Sequence, residues 1–247
     1  MCKVLDYFKI TQHCKIGKKI FKKHFSENFA LKVYEKKILQ EDIQAITLEY
    51  LLNSNNINIE PFINDEVDFG EVALISVVLL DNERVEKVAK IIQNIPYPIV
   101  LIISHEDRFC IHLAYKRINQ KDSSKVIISD EYVTPWMDIK NLNIKEKKFL
   151  ESLDLKNQSF TNFEKFYSDL INKVIALKLS KETSSFVDPK DTNKEILDNI
   201  STLEIDIKEL KSLIKRETHF NEKVNLNIKL KVLYDKLDKI KGELCTS

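Results

Sequence analysis

With 247 residues, 43% hydrophobic and 31% charged, the chain has material for one generous domain, or a domain plus an appendage, around a real core. Only three glycines occur and no G-x-G-x-x-G or G-x-x-x-x-G-K pattern, which argues against a glycine-cradled nucleotide motor. The net charge is +1, yet residues 1–40 hold ten lysines against Asp6, Glu27 and Glu35, a local excess suited to phosphate oxygens or to a solvated face.

Along the chain, Ile16, Ile20, Phe21, Phe25 and Phe29 recur at helical spacing and predict a helix over 15–29. A second helix is expected over 41–52, with Ile43, Ile46 and Tyr50 inward, broken by Asn53-Ser54-Asn55-Asn56, whose side chains compete for backbone hydrogen bonds. Residues 57–63 alternate like a half-buried strand. The run 71–80 is nearly all apolar and β-branched, as in a central strand covered on both faces. Asp81 should start a helix reaching about Asn94, which Pro96-Tyr97-Pro98 stops before a buried strand over 99–104. The stretches 109–115 and 125–132 should pair as antiparallel neighbours, and helices are expected over 145–153 and 160–179.

Residues 181–193, with Thr183-Ser184-Ser185 and Asp188-Pro189, read as a linker between a globular part (1–180) and a helical tail (194–247). In the tail, Ile196, Ile200, Leu203, Ile207, Leu210 and Ile214, then Val224, Ile228, Leu233, Leu237, Ile240 and Leu244, fall mostly three or four residues apart. Acidic residues gather at its start and lysines at its end, which suits the helix dipole. Unbroken, it would be a rod of roughly 70 Å. The stripe loses phase near Glu217 and Asn221, at the place where a hairpin would bend, but the bend lacks glycine, so a continuous or gently kinked helix is favoured. Either way the greasy stripe needs a cover, from a partner, a second copy or its own domain. The fold class expected is α+β, with a mixed, largely antiparallel sheet flanked by helices and a long, coiled-coil-like C-terminal helix or helical hairpin.

Several collinear pieces resemble a bacterial family catalogued as a domain of unknown function. They are Lys18-Lys19-Ile20-Phe21 with Phe25, the stretch from Ile43 into Asn56-Ile57-Asn58-Ile59, Gly70-Glu71-Val72-Ala73, Ile95-Pro96-Tyr97-Pro98-Ile99, Ala114-Tyr115-Lys116-Arg117, Pro135-Trp136 and the tail from Lys215 to Asn227. The chain departs from the family at Leu79 and Leu80, where a lysine is frequent, and at Thr47, where an aromatic is common. The resemblance implies genes placed beside helicases and DNA methyltransferases in restriction-like, anti-phage loci. It implies an accessory role and carries over no catalytic residue.

Candidate sites follow from residue chemistry. Asp68 and Glu71 at the start of a buried strand, with Lys116 from a neighbouring one, are the weak candidates for a metal-dependent nuclease, although Ala73 stands where a lysine is wanted. His105, Cys110 and His112 have ligand chemistry but no second pair to complete a zinc site, so no metal and no cofactor are expected. Lys18, Lys19, Lys22 and Lys23, with Arg108, Tyr115, Lys116 and Arg117, suit a face that stacks on bases and holds phosphates of DNA or RNA. Ile200, Leu203, Ile207, Leu210, Ile214, Val224, Ile228 and Leu237 are the candidates for partner binding. Phe21, Phe25, Tyr97, Trp136 and Phe163 read as core.

Cys2, Cys14, Cys110 and Cys245 show no paired spacing, as expected of reduced thiols in a cytosol. No signal peptide is recognisable, and the longest apolar run is strand-sized, so a soluble cytoplasmic protein without membrane contact is expected. The leading expectation is a non-catalytic accessory subunit of a restriction-type or anti-phage assembly. It would bind nucleic acid, or a helicase or methyltransferase subunit, or a second copy through the tail. The alternatives are a nuclease with an atypical carboxylate site and a stand-alone homodimeric binding module.

Overall fold

The computed structural model describes residues 3–122, 126–183 and 185–246. It divides into two compact units, Met1–Val174 and Ile175–Ser247. The first carries β1 (Lys15–Lys19), α1 (Lys22–Asn28), α2 (Val33–Glu41), β2 (Ile43–Asn53), β3 (Phe62–Ile63), β4 (Asp68–Phe69), β5 (Glu71–Leu79), α3 (Val85–Ile92), β6 (Ile99–His105), β7 (Arg108–Ile118), β8 (Val126–Val133), β9 (Met137–Asp138) and α4 (Ile144–Ser152). The boundary falls within α5 (Phe163–Leu179). The second unit carries α6 (Asn193–Arg216) and α7 (Phe220–Thr246).

The class is α+β. The main sheet runs β1-β2-β5-β6-β7-β8, with β9 also on β7, and β3 pairs separately with β4. Among the described strands only β5 and β6 pair in parallel, as the α3 crossover between them requires. Both strands are apolar along nearly their whole length because both faces are covered. Ala73, Ile75 and Val77 with Ile99, Leu101 and Ile103 join one buried cluster with Phe25, Ile38, Leu39, Val88 and Ile92 from α1, α2 and α3. The alternate residues Val72, Leu74, Val100 and Ile102 are equally buried on the other face. There Tyr167 of α5 inserts its hydroxyl at the end of the β6–β7 ladder. It donates to the Ile99 carbonyl (2.8 Å) and accepts from the Ala114 amide (3.0 Å), which satisfies a fully buried polar group. Burial pushes that phenol well above its ordinary range.

Two expected helices are strands. Residues 15–19 form β1, because Gly17 takes φ 62 in a bulge that shifts the register between Lys15 and Lys18. The helical spacing is real only from Lys22, where α1 begins, and Phe21 before it is 60% exposed rather than core. Residues 43–53 form β2. Its register shifts between Ile43 and Ala45 and again between Leu48 and Tyr50. The first bulge adds one residue to the two-residue period, so Ile43 and Ile46 share a face three residues apart. The second turns Tyr50 to the opposite face beside Leu74, where it is buried too, and the buried positions 43, 46 and 50 thus imitate a helix. The helix that does precede it is α2, where the Glu35 carboxylate accepts from the Lys32 amide at 2.7 Å.

The asparagine run turns the chain as expected, but at the end of a strand. Asn56 Oδ1 accepts from the Asn53 amide (3.0 Å), and its Nδ2 donates to the Leu51 carbonyl (2.7 Å). Of the expected strand 57–63 only β3 forms, since Pro61 cannot donate to a ladder. Asp81 makes a local turn by accepting from the Glu83 amide, and α3 starts four residues later. The antiparallel pairing of β7 with β8 is as expected, although Lys125 lies outside the described residues. In the linker, Ser184 lies outside them too.

The tail is a hairpin, not a continuous helix. Residues 217–219 separate α6 from α7, and the two helices pack on each other. Leu203 and Ile240 line one groove, and the Lys211 ammonium lies 5.3 Å from the Tyr234 ring centre, so the helices run antiparallel. No glycine is needed at the bend, because Glu217 takes extended backbone (φ −71, ψ 130). Its carboxylate accepts from the amides of Thr218 (2.8 Å) and His219 (2.7 Å), donors that the start of α7 leaves open.

Candidate functional site

The hairpin sorts the expected partner-binding residues into two sets. Ile200, Ile207 and Leu237 are buried, and Leu203, Leu210 and Ile214 are half-buried. Val224 and Ile228 are 41% and 58% exposed. The cause is helical phase. Leu237 follows Ile228 by nine residues, half a turn around the helix at about 100° per residue. Val224 and Ile228 therefore share an outer face with Phe220 (78% exposed) and Val232 (47%), two residues absent from the expected set. The signal was present in the four-residue steps 220, 224, 228 and 232, but the stripe beginning at Leu233 runs on the opposite face. Lys223, Lys229 and Lys231 stand beside this outer face, with Glu222 as the acidic residue of that stretch.

The expected nucleic-acid residues are not brought into one patch. Lys18 and Lys19 lie on the exposed edge strand β1. Lys22 donates to the backbone carbonyls of Gln40 and Ile43, and burial followed by the nearby Lys19 charge lowers its pKa. Lys23 pairs with Glu27 at 3.2 Å. On β7, strand alternation sends Tyr115 and Arg117 to one face and Arg108 and Lys116 to the other. Arg108 lies 5.8 Å from the Trp136 ring centre and, by strand rise, about 30 Å along β7 from Arg117. Tyr115 leans on Phe69 (centroids 5.4 Å apart), and its hydroxyl donates to Glu164.

Lys116 is buried, and its ammonium donates to the carbonyls of Ile95 (2.8 Å) and Tyr97 (2.9 Å), tying down the chain after α3. Burial pulls its pKa down to about 7. Asp68 is a turn residue that accepts from the Gly70 amide, and the Glu71 carboxyl is raised first by burial and then by Asp68. Register places Glu71, Tyr97 and Lys116 at the same end of neighbouring strands, but Lys116 spends its donors on backbone. Among the described residues no group of three or more His, Cys, Asp or Glu could hold a metal. His112 sits between Gln93 Nε2 (3.3 Å from Nδ1) and Glu131 (3.8 Å from Nε2). The Cys110 thiol is buried and pushed up to about 12, so it is no ready ligand or nucleophile. Cys14 and Cys110 are free, while Cys2 and the side chain of Cys245 lie outside the described residues. Among the described residues no helix is long and apolar enough to cross a membrane.

One feature has no counterpart among the expected sites. A cleft of about 390 Å³ opens on the sheet face that Thr47, Ser76, Val78 and Ser104 share, toward the carboxyl ends of β5 and β6. Glu49, the extra residue of the second β2 bulge, lines it, and Ser76 Oγ donates to the Glu49 carboxylate. Isolated residues at bulge positions leave little trace in a sequence.

The family described as domain of unknown function DUF4391 matches residues 8–237. The chain belongs to this family. The match covers nearly all of both units and brings no assigned activity with it. The chain matches no curated protein and no solved structure.

Proposed function

We propose that this chain is a non-catalytic binding subunit of a bacterial restriction-type or anti-phage assembly, and that it grips its partner protein with the outer face of α7. The observation that carries this reading is the bare row Phe220, Val224, Ile228 and Val232, opposite the face that α6 covers. A row of four large apolar side chains on one helix is the form in which helix-in-groove and helix-to-helix recognition is read. The flanking charge selects the occupant. A second copy of α7 laid antiparallel with Val224 against Ile228 would set Lys223 against Lys229, and a parallel copy would set each lysine against itself. An amphipathic helix with acidic flanks meets no such repulsion. A helicase or methyltransferase subunit encoded nearby, as the family resemblance implies, is the proposed source of that helix.

The test mixes the full chain with those neighbouring subunits and follows mass by light scattering. The chain alone is expected to be monomeric and to form a complex with one of them. Val224→Asp with Ile228→Asp should weaken that complex about tenfold or more, since central apolar anchors each carry over about 1 kcal/mol. Lys229→Glu should weaken it further at low salt. A dimer of the chain alone that the same aspartates dissolve would replace this reading with a homodimeric module. Plasmid cleavage with magnesium or manganese that needs Glu71 would replace it with a nuclease.

A further inference from the structure

We propose that the cleft over β2, β5 and β6 is a binding site for an organic cation, a primary ammonium or guanidinium group on a short aliphatic body. It is independent of the α7 surface. The Glu49 carboxylate is half-buried, its hydrogen-bond partner is the Ser76 hydroxyl, and it has no ion pair among the described residues. A carboxylate drawn part-way out of water is costly unless a cation completes it. The chain has brought it there deliberately in the geometric sense. Glu49 follows Thr47 by two residues and shares its face with Ser76, and the bulge between Leu48 and Tyr50 leaves it without a partner residue across the ladder.

The rest of the lining fits the same guest. Thr47 and Ser104 add hydroxyl oxygens that can accept N–H bonds, and Val78 and Phe109 supply apolar wall for methylene groups. At the rim Asp107 is matched by Lys140 at 2.6 Å, and of the other cations that line the cleft, Arg108 lies against Trp136 and neither it nor Lys3 forms an ion pair with Glu49. The neighbouring Glu106 holds φ 53 in the β6–β7 hairpin and lines the same cleft. The volume lies at the lower end of the range that small-molecule sites occupy. An anion or a neutral apolar compound would leave Glu49 unpaired.

Two sources can supply this chemistry, a free amine or guanidine and a Lys or Arg side chain of another protein. The experiment titrates the full chain with agmatine, and separately with a short peptide bearing one internal arginine. Binding is read by calorimetry and by amide shifts. Agmatine is expected to bind saturably, to shift the amides of Ser76 and Ser104, and to lose about tenfold or more in affinity in Glu49→Gln. A neutral analogue with hydroxyl in place of the guanidinium should not bind. Val78→Phe, which fills the space and leaves the carboxylate, should abolish binding as well and serves if the glutamine variant does not fold. Stronger binding of the peptide than of agmatine assigns the site to a protein side chain, and the reverse assigns it to a free metabolite. Absence of saturable binding by both probes, or equal binding by wild type and both variants, overturns the proposal.

Discussion

The paired strands β5 and β6 and the helix α7 are each apolar on two opposite sides, and they have opposite fates. The strands bury both sides, one against α1, α2 and α3 and the other against the layer that contains Tyr167. Helix α7 buries Leu237 on the side facing α6 and leaves Ile228 58% exposed on the other. Two-sided apolarity is therefore a statement about how many neighbours an element needs. The strands have theirs within the chain. The helix is one neighbour short, and that shortage is where an interaction function is most economically sought.

The strongest way to break the comparison is a matched pair of truncations. Leu101→Ala, at a side chain with no exposure on β6, should cost about 2–5 kcal/mol of unfolding free energy, through lost transfer and a cavity in a close-packed cluster. Ile228→Ala should stay within about 0.5 kcal/mol, the usual range for surface changes. Urea unfolding followed by circular dichroism measures both. A large loss in Ile228→Ala would mean that the outer face of α7 is already covered inside the chain, and the partner surface would vanish.

Titration sharpens the strand side of the contrast. Lys116 sits at the end of β7 with a folded pKa of about 7, below its ordinary value of 10.5 because burial disfavours its charge. Between those two values the unfolded chain holds a proton that the folded chain does not, so stability rises with pH across that interval. Below about 7 both forms are protonated, and the penalty of the buried charge is present in full. Lys116→Met should flatten the rise between about pH 7 and 10, measured by urea midpoints at each pH. It should also release the carbonyls of Ile95 and Tyr97 from their donor. If the slope persists in the methionine variant, another group carries it, with Lys173, whose pKa burial lowers to about 8, as the next to remove.

Legibility in the sequence followed the same divide. The two strands β5 and β6 were readable as buried strands because an unbroken, largely β-branched run is explained by burial on both faces, while their parallel pairing came only with the structure. β1 and β2 were not, because bulges at Gly17, Gln44 and Glu49 break the two-residue alternation and leave buried positions at helix-like steps. The tail was readable as helix and as sticky. Its hairpin was hidden in Glu217, a residue that caps with its side chain instead of bending with a permissive backbone. Of the exposed apolar row on α7 the sequence reading held Val224 and Ile228 and missed Phe220 and Val232, because a single stripe was drawn through two faces half a turn apart. The Tyr115, Lys116 and Arg117 triplet shows the limit of adjacency on a strand, where neighbours point apart.

The smallest effect expected is also the most local one, at the bend that creates the outer face. Glu217 supplies acceptors for two amides at the start of α7, and these hydrogen bonds, that from His219 first, hold its carboxyl below the ordinary 4.5. A carboxylate with a depressed folded pKa contributes stability above its unfolded value and loses it as pH falls through the folded one. Glu217→Ala should speed hydrogen exchange at Thr218, His219 and the first turn of α7 at neutral pH, and leave the amides of β5 and β6 unchanged. Wild type should approach the variant as the solution is acidified below the folded pKa. Because Phe220 lies in that first turn and Val224 directly follows it, the alanine variant should also bind the proposed partner more weakly while Ile228 and Val232 keep their places. Unchanged exchange in the variant would mean that the hairpin is set by the α6–α7 seam alone, with Ile207 and Leu237 closing the bend from a distance.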